Sequence, residues 1–466
     1  MERTNIVIVG GGITGLTTAY YLQQRINEQH LPYDVKLIEA SNRLGGKIHT
    51  VKKDGFTIER GADSFLARKK PAVDLVKHLG MSDELVRNDT GQSYVLVDKK
   101  LHKIPQGSFM GVPTRVGPFL FSSLISPLGK LRAGLDYVIP KGKPKEDQSL
   151  GGFFRRRFGN ELVENLLEPL LSGIYSGDVD QMSLMATFPN FYELEQKYGS
   201  LIKGLKQTMP EKRRGTGRRP GQFFSFKNGF ESLVNQLYKQ LDEDVVDFNT
   251  SVDHIEKKEH GYHILLSNGK VYKAAVVVMA TPHRTLPKIF SQYDFFKTLN
   301  EMPVTSVANV ALAFDESAIK KDMDGTGFVV SRNSDFRITA CTWTHRKWPL
   351  TTPEGKILLR AYVGKPTDQE IVNLSDEEIT DIVLQDLNKI MEISGQPQFT
   401  VVTRWKRMMP QYTVGHQKRI ATVQKGVHEH LPGVFLAGSS YEGVGVPDCI
   451  GQSEQVVEDV FNFLQR

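Results

Sequence analysis

The sequence predicts an α/β chain, α+β overall, and three observations lead to that prediction. An apolar run at Ile6–Val9 passes through a glycine-rich turn into a helical pattern and a second apolar run at Val35–Ile38, the order of a βαβ unit. Residues 113–198 have helical periodicity punctuated by Pro and Gly. Residues 304–363 are rich in β-branched and aromatic residues, which favours an antiparallel sheet.

The first βαβ unit contains the spacing Gly-x-Gly-x-x-Gly, made by Gly10, Gly12 and Gly15. Gly10 permits the tight turn, Gly12 permits a pyrophosphate to approach the backbone, and Gly15 permits close packing of helix on strand. Glu39 ends the second strand, where a carboxylate accepts hydrogen bonds from ribose hydroxyls. It lies beyond the usual spacing, which predicts a lengthened helix end and loop at residues 27–32.

The rest of the chain alternates strand and helix patterns. A Ser375 cap with Glu378 three residues later predicts a helix over Asp376–Met391. An apolar stripe over residues 162–171 is expected to break at Pro169, and Arg155–Arg157 to form a solvated helix face. The other predicted elements are a helix from Pro71 to a stop at Gly80, strands at Ser93–Asp98, 221–228, Val252–Ile255, Tyr262–Leu266, Val271–Val278, a buried strand at Ala275–Ala280, strands at Val401–Trp405 and Gly433–Gly438, and helices at Phe230–Leu241 and, after a Gly-rich turn, Gly451–Leu464.

These motifs together resemble a known family. The glycine turn, Glu39-Ala40, Arg43-x-Gly-Gly-Lys47 and Gly61-Ala-Asp-Ser64 are similar to the FAD-dependent amine oxidase superfamily. Within it, the chain resembles the bacterial oxygen-dependent coproporphyrinogen III oxidases and the protoporphyrinogen oxidases. Segments over the whole chain extend this likeness, among them Leu170–Tyr175, Ser306–Val310, Ala340–Trp343, Met409–Tyr412 and Gly443–Cys449.

The resemblance implies a Rossmann-type FAD-binding domain with a β-sheet substrate domain and a mostly helical insertion. The FAD-binding domain is expected to be discontinuous. Its predicted parts are residues 1–66, 221–285 and 403–466; the substrate-binding domain takes 67–112 and 286–402, and the helical domain takes 113–220.

The resemblance also implies site residues. Lys69 matches a propionate-binding lysine, and Ile174 and Tyr362 match positions that line the substrate cavity. From sequence alone, a lysine in Arg-Lys-Lys is more often a solvated charge than a ligand, and the other two are equally core residues. No catalytic residue is identified, because a flavin itself supplies the redox chemistry. The implied FAD contacts are Gly10, Gly11, Gly12, Ile13, Thr14, Gly15, Glu39, Ala40, Arg43, Lys47, Gly61, Ala62, Asp63, Ser64, Val252, Trp405, Val446, Pro447 and Asp448.

The implied reaction is oxidation of coproporphyrinogen III to coproporphyrin III in haem synthesis, with O2 as acceptor and H2O2 as co-product. Protoporphyrinogen IX is expected to react as well. Two alternatives stay open. One is another FAD-dependent oxidase or desaturase of the superfamily, acting on an amine or a polyene. The other is a non-catalytic porphyrin-binding module, which would bind a porphyrin without producing peroxide.

The composition bounds the class of protein. The 466 residues are 39% hydrophobic and 24% charged, which suits about three globular domains. Two cysteines exclude a disulfide framework, and scattered histidines predict no metal site. The longest nearly uncharged apolar run, 116–129, is interrupted by Pro118 and Pro127 and is too short to span a bilayer. A cytoplasmic protein without a signal peptide or a transmembrane segment is expected.

The net charge of +6 is concentrated in one place. Residues 203–219 contain seven basic side chains and one acidic side chain, so the rest of the chain is formally neutral. The charge therefore does not indicate nucleic-acid binding. This basic segment is expected to be a solvated connecting loop. The alternative is an anionic partner, either a peripheral membrane contact or a transient contact with the next enzyme of the haem pathway.

Overall fold

The structure is a computed structural model, and it describes residues 4–89, 91–208, 221–321 and 324–465. Most of the basic 203–219 segment therefore lies outside the described residues. The chain divides into two compact units. The first contains Met1–Arg87, Gln222–Met302 and Gln417–Arg466, and the second contains Asn88–Gly221 and Pro303–His416.

The described strands are β1 Thr4–Val9, β2 Tyr33–Ile38, β3 Thr50–Lys53, β4 Phe56–Glu59, β5 Phe65–Leu66, β6 Leu85–Arg87, β7 Tyr94–Val97, β8 Lys100–Lys103, β9 Ser108–Phe109, β10 Val112–Pro113, β11 Phe223–Phe226, β12 Val246–Asp247, β13 Val252–Lys258, β14 Gly261–Leu266, β15 Val271–Ala274, β16 Val276–Met279, β17 Val304–Asp315, β18 Gly327–Val330, β19 Ile338–Trp343, β20 Lys356–Val363, β21 Phe399–Pro410 and β22 Val434–Leu436. The α-helices are α1 Ile13–Gln29, α2 Lys70–His78, α3 Val116–Leu120, α4 Pro127–Gly134, α5 Leu150–Phe158, α6 Asn160–Leu162, α7 Glu168–Tyr175, α8 Leu184–Thr187, α9 Pro189–Tyr198, α10 Leu201–Thr208, α11 Glu231–Lys239, α12 Leu286–Ile289, α13 Thr344–Lys347, α14 Asp376–Met391, α15 His416–His430 and α16 Val446–Leu464.

The first unit is built on a five-stranded parallel sheet in the order β12, β2, β1, β16, β22. Alternate side chains of β1 point to opposite faces. Ile6 and Ile8 pack into a core shared with α1, α11 and α16. Val7 and Val9 pack into a second core, shared with β13, β14 and α15. Because both faces are covered, the strand is apolar throughout, and the predicted α/β class is confirmed.

The segment predicted as a strand over Val271–Val278 is divided between two strands, and the second of them, Val276–Met279, matches the buried strand predicted over Ala275–Ala280. Val271–Ala274 pairs antiparallel with β14, and Val276–Met279 pairs parallel with β1. The chain changes sheets at Ala275, where its N–H donates to the Asn5 carbonyl. The sequence does not mark the boundary between the two strands, because no Gly or Pro occurs in residues 271–279.

Two helices differ from the sequence prediction. The closing helix begins at Val446 rather than Gly451, because Pro447 lies in its first turn, where proline needs no N–H partner. Helix α15 at His416–His430 was not predicted at all. It presents only Ile420, Val423 and Val427 to the core, a sparse apolar pattern in an otherwise polar segment.

The second unit contains a seven-stranded sheet in the order β21, β17, β20, β19, β18, β7, β8. The predicted antiparallel pairing of the strands over residues 304–363 is confirmed. The sheet extends beyond them to β7, which runs parallel to β18. Val401–Trp405 is part of a longer strand, Phe399–Pro410. Helix α14 packs on the sheet, and its predicted capping box is confirmed, with reciprocal hydrogen bonds between Ser375 and Glu378.

The apolar stripe over residues 162–171 is not interrupted at Pro169. A π-helical turn at Val163–Leu167 leads directly into α7, which has Pro169 in its first turn. Proline cannot donate to the carbonyl four residues earlier, and a π turn changes the hydrogen-bond pattern at that point. The helical stripe therefore continues through the proline.

Arg157 corrects the expectation of a solvated arginine face. Its side chain is fully buried, with Nε 2.6 Å from Asp136 Oδ1 and Nη1 3.3 Å from Glu195 Oε1. It also donates to the carbonyls of Ile139 and Gly199. Residues 153, 154 and 158, all phenylalanine, are buried on the same helix, so Arg157 lies on the apolar face rather than opposite it.

The compact units do not follow the predicted domain boundaries. Residues 67–87 belong to the first unit, because α2 packs into the core that contains α16. Residues 113–208 belong to the same unit as the seven-stranded sheet. Residues 286–302 belong to the first unit and 403–416 to the second. The assignment of cofactor and substrate roles to these domains stays a prediction.

Candidate cofactor site

The turn between β1 and α1 needs glycine at two positions. Gly10 has φ +105°, and a Cβ there would lie 2.8 Å from the Ala280 carbonyl oxygen. A Cβ at Gly15 would lie 1.9 Å from the Gly10 carbonyl oxygen. These contacts fix the turn tightly against the neighbouring strand and helix. The predicted steric roles of Gly10 and Gly15 are therefore observed.

Gly12, unlike Gly10 and Gly15, is not restricted by neighbouring atoms. It is the N-cap of α1, and a Cβ built on it would have no neighbouring atom within 4 Å. The first turn of α1, which begins with Ile13 and Thr14, contains no acidic residue. The N–H groups of a helix N-terminus lack intrahelical partners and favour an anionic group. Gly12 thus borders an open space that suits a phosphate.

Glu39 is held beside this turn. One carboxylate oxygen accepts from the Gly11 N–H at 2.7 Å, and the other accepts from the N–H and hydroxyl of Ser41 at 2.8 and 2.6 Å. The following residue, Ala40, is exposed. The carboxylate therefore lies at the carboxyl end of β2, directly against the glycine turn.

The Arg43–Lys47 segment also packs on the glycine turn. The Gly45 N–H donates to the Gly11 carbonyl at 2.8 Å. The Arg43 guanidinium donates to the carbonyls of Gly46 and Ile48, so it stabilises the loop to which it belongs. The Lys47 side chain instead contacts a distant segment, since its ammonium is 3.2 Å from the Ser439 hydroxyl. Burial lowers the pKa of Lys47.

Two further predicted segments join this loop. The Ala62 N–H donates to the Lys47 carbonyl at 3.2 Å, which places Gly61–Ser64 against the Arg43–Lys47 segment. The Asp63 carboxylate accepts from the Ser64 hydroxyl at 2.7 Å. The Thr250 N–H donates to the Glu39 carbonyl at 3.0 Å, and Val252, at the start of β13, is two residues further along the chain.

The C-terminal helix completes the arrangement. The Ser453 hydroxyl donates to the Thr14 carbonyl at 2.8 Å, so α16 packs on the start of α1. The first turn of α16 contains Val446, Pro447 and Asp448. Lys69 forms an ion pair with Asp448, so a predicted substrate residue meets a predicted cofactor residue within the first unit.

Three predicted residues lie in the second unit. Trp405 is on β21, Ile174 is 42% exposed near the end of α7, and Tyr362 is on β20. The Arg360 guanidinium lies 5.2 Å from the ring centre of Tyr362. Ile174 is thus not a core residue, which removes one of the two readings of that position.

The sequence reasoning missed Ser440 and His283. His283 Nδ1 lies 3.1 Å from the Ser440 hydroxyl, and its Nε2 lies 3.2 Å from the Met302 carbonyl oxygen. Burial lowers the pKa of His283. The strand-Gly438-Ser-Ser pattern, which resembles the strand-glycine pattern at Gly10, could have drawn attention to this turn. Within the parts of the chain that the structure describes, no three metal-ligating side chains cluster.

Comparison with known proteins agrees with this geometry. The family model of the flavin-containing amine oxidoreductases matches residues 13–461. The chain is 51% identical to coproporphyrinogen III oxidase of Bacillus subtilis over 99% of both chains, and 46% identical to that of Staphylococcus aureus over 98% of both. A crystal structure from Exiguobacterium sp. 255-15, described as a protoporphyrinogen oxidase, superposes with a TM-score of 0.88 at 37% identity over 100% of both chains. The chain therefore belongs to the family of flavin-containing amine oxidoreductases.

Proposed function

We propose that this chain oxidises coproporphyrinogen III to coproporphyrin III in haem synthesis. The observation that supports this function is the similarity over nearly the full length to two bacterial coproporphyrinogen III oxidases. Protoporphyrinogen IX contains the same reduced macrocycle and is expected to react as well.

FAD is the cofactor of this chain, as its family indicates. The residues present fit this dinucleotide. Gly12 leaves the space for a pyrophosphate at the start of α1, and Glu39 offers a carboxylate for ribose hydroxyls. When bound, FAD accepts reducing equivalents from the substrate and returns them to an acceptor.

The reaction balances with O2 as that acceptor. Conversion of the porphyrinogen to the porphyrin removes six hydrogens, and three molecules of O2 take them up as three molecules of H2O2. The protein has to hold the macrocycle in position and keep water from the reacting carbon. For this reason no side chain is assigned an acid–base role.

The substrate contacts are part of the proposal. Lys69 is 39% exposed and can donate a charge-assisted hydrogen bond to a propionate. Ile174 and Tyr362 are proposed to contact the apolar macrocycle. Lys69→Ala is expected to raise KM up to about tenfold, since one such contact contributes roughly 1.5 kcal/mol. The neighbouring, exposed Lys70 supplies the matched control, Lys70→Ala.

Anaerobic mixing tests the proposed reaction. Coproporphyrinogen III is expected to bleach the flavin absorbance, and admission of air is expected to restore it with release of H2O2 and coproporphyrin III. Porphyrin binding without bleaching would instead support a binding module. Bleaching by an amine but not by the porphyrinogen would support another oxidase of the family.

We further propose that the protein is cytoplasmic and contacts an anionic membrane surface peripherally. Among the described residues no helix is both long and apolar enough to cross a bilayer. However, the segment over residues 116–138 exposes large apolar side chains, with Phe121 93%, Leu128 79% and Val138 74% exposed. Exposed apolar clusters of this kind mark interaction sites.

The charge near this segment favours anionic lipid. Residues 99–145 contain nine Lys or Arg and one acidic residue, Asp136, which is buried against Arg157. Two cations adjoin the apolar segment directly: Lys130 donates to the Leu120 carbonyl, and Lys206 donates to the Tyr137 hydroxyl. One acid, Glu161, also adjoins it and accepts from the N–H and hydroxyl of Ser126. Apolar side chains with adjoining cations are the pattern of interfacial binding.

Vesicle flotation tests this contact. The protein is expected to float with vesicles that contain phosphatidylserine and to remain behind with pure phosphatidylcholine vesicles. Phe121→Asp should abolish flotation, whereas Leu350→Asp, at a side chain that is 66% exposed elsewhere in the same unit, should not. Equal flotation of both variants would refute the assignment.

A further inference from the structure

The ion pair between Lys69 and Asp448 joins the N-terminal ends of two helices of the first unit. Lys69 is the N-cap of α2, and Asp448 lies in the first turn of α16. The Lys69 ammonium donates to one carboxylate oxygen of Asp448. The two side chains are 39% and 31% exposed, so water reaches the pair and the contact can open.

The carboxylate side of the pair is fixed by two glycines. A Cβ at Gly443 would lie 2.6 Å from Asp448 Cβ, and a Cβ at Gly445 would lie 2.8 Å from Asp448 Oδ2. The Asp448 N–H donates to the Gly445 carbonyl at 3.0 Å. A negative charge in the first turn of a helix is also favourable. Asp448 therefore has a defined place in the glycine-rich turn.

The lysine side of the pair is different. The Lys69 N–H donates to the Leu66 carbonyl at 3.0 Å, and the next turn of α2 abuts α16, since a Cβ at Gly451 would lie 3.3 Å from Pro71 Cγ. The backbones are therefore anchored, whereas the four-carbon side chain of lysine can swing. Its ammonium is a donor on a flexible stem, so it can turn from Asp448 to another carboxylate.

We propose that Asp448 competes with the substrate carboxylates for Lys69 and so limits the affinity for propionate-bearing tetrapyrroles. This inference rests on the proposed function and on the assignment of Lys69 to a propionate. An incoming propionate meets an ammonium whose charge is already compensated, and it is repelled by the Asp448 carboxylate. Asp448 thus opposes the attraction that Lys69 provides.

The consequence concerns release of the product. Substrate and product have the same propionates, so the contact with Lys69 binds both to the same extent and does not accelerate the chemical step. Tight binding of the product would slow turnover when release is limiting. A carboxylate that displaces the propionate from Lys69 keeps the product from being held.

The test uses the FAD-loaded protein and measures the Kd for coproporphyrin III by fluorescence titration, which does not depend on turnover. Asp448→Asn is expected to tighten binding about two- to fivefold, the range for a partly exposed ion pair. The gain should shrink as the salt concentration rises. Glu442→Gln, which removes an exposed acid in the same turn, should leave the Kd unchanged.

The double variant shows whether the effect of Asp448 on the Kd depends on Lys69. In a Lys69→Met background, Asp448→Asn is expected to gain no more affinity than Glu442→Gln, because the competition requires the lysine. Asp448→Ser supplies a second way to remove the charge if the asparagine variant purifies without FAD. Both variants are compared at equal FAD content.

Three results would overturn the inference. Weaker binding by Asp448→Asn would mean that Asp448 positions Lys69 for the propionate. An unchanged Kd would mean that the pair does not affect binding, and an equal gain in the Lys69→Met background would mean a general charge effect. Each of these can occur while the native protein still oxidises coproporphyrinogen III, whereas absence of that oxidation refutes the proposed function itself.

Discussion

Gly12→Glu tests the assignment of the cofactor site, because the structure separates its effect on the cofactor from its effect on the fold. Gly12 has φ −65° and ψ 175°, an extended conformation open to any residue, and no atom lies within 4 Å of a Cβ at this position. We therefore expect the apoprotein to fold normally. The new carboxylate would occupy the space assigned to the pyrophosphate.

The expected loss of FAD affinity is large. A carboxylate and a phosphate about 4 Å apart, at an effective dielectric constant of about 20, repel each other by about 4 kcal/mol. That energy corresponds to roughly three decades in Kd. The purified variant should therefore be colourless, whereas the native protein should be yellow and release FAD on denaturation.

Gly15→Ala is the matched comparison. Its Cβ would lie 1.9 Å from the Gly10 carbonyl oxygen, so the turn or the helix must move. We expect it to lower the free energy of unfolding by at least about 1–3 kcal/mol, the usual cost of overpacking. Circular dichroism and denaturant unfolding of both apoproteins, together with the flavin content of both variants as purified, separate the two effects.

Two results would refute the reasoning on Gly12. If Gly12→Glu retained stoichiometric FAD, the space beside α1 would not be the pyrophosphate site. A Gly12→Glu protein that failed to fold would show that the open space closes in solution, and it would be equally inconsistent with the structure.

Three further predictions concern the second unit. Arg157→Met should lower the free energy of unfolding by about 3–5 kcal/mol, because it leaves the buried Asp136 carboxylate without its cation, although Glu195 keeps its ion pair with Arg156. Arg155→Ala, at a partly exposed side chain, should lower it far less in the same denaturant measurement. Burial raises the pKa of Glu168 from 4.5 to about 7, although Arg332 opposes the shift. The folded state therefore binds the proton of Glu168 more tightly than the unfolded state does. The stability that this proton provides is lost as the pH rises from about 4.5 to 7. Glu168→Gln should remove that decline, about 1–3 kcal/mol after allowance for solvent screening, in unfolding curves recorded across this pH range. Ser375→Ala should lower the free energy of unfolding by about 1 kcal/mol, because it removes the cap of α14. A change of less than a few tenths of a kcal/mol would mean that the capping box contributes nothing to stability.

The sequence by itself determined the parts whose physics is local. The glycine turn could be predicted because positive φ at Gly10 and the clash at Gly15 arise within the same few residues. The capping box at Ser375 involves a partner three residues away. The carboxylate of Glu39 could be placed beside the turn because adjacent parallel strands end at one edge of the sheet.

Only the tertiary structure decided the contacts between distant segments. Lys69 and Asp448 are 379 positions apart, and no periodicity links them. Arg157 is buried because Asp136 and Glu195, 21 and 38 positions away, compensate its charge, although its residue type alone favours solvent. A lone sequence reports what a side chain can do, whereas burial and partners depend on which distant backbone packs against it.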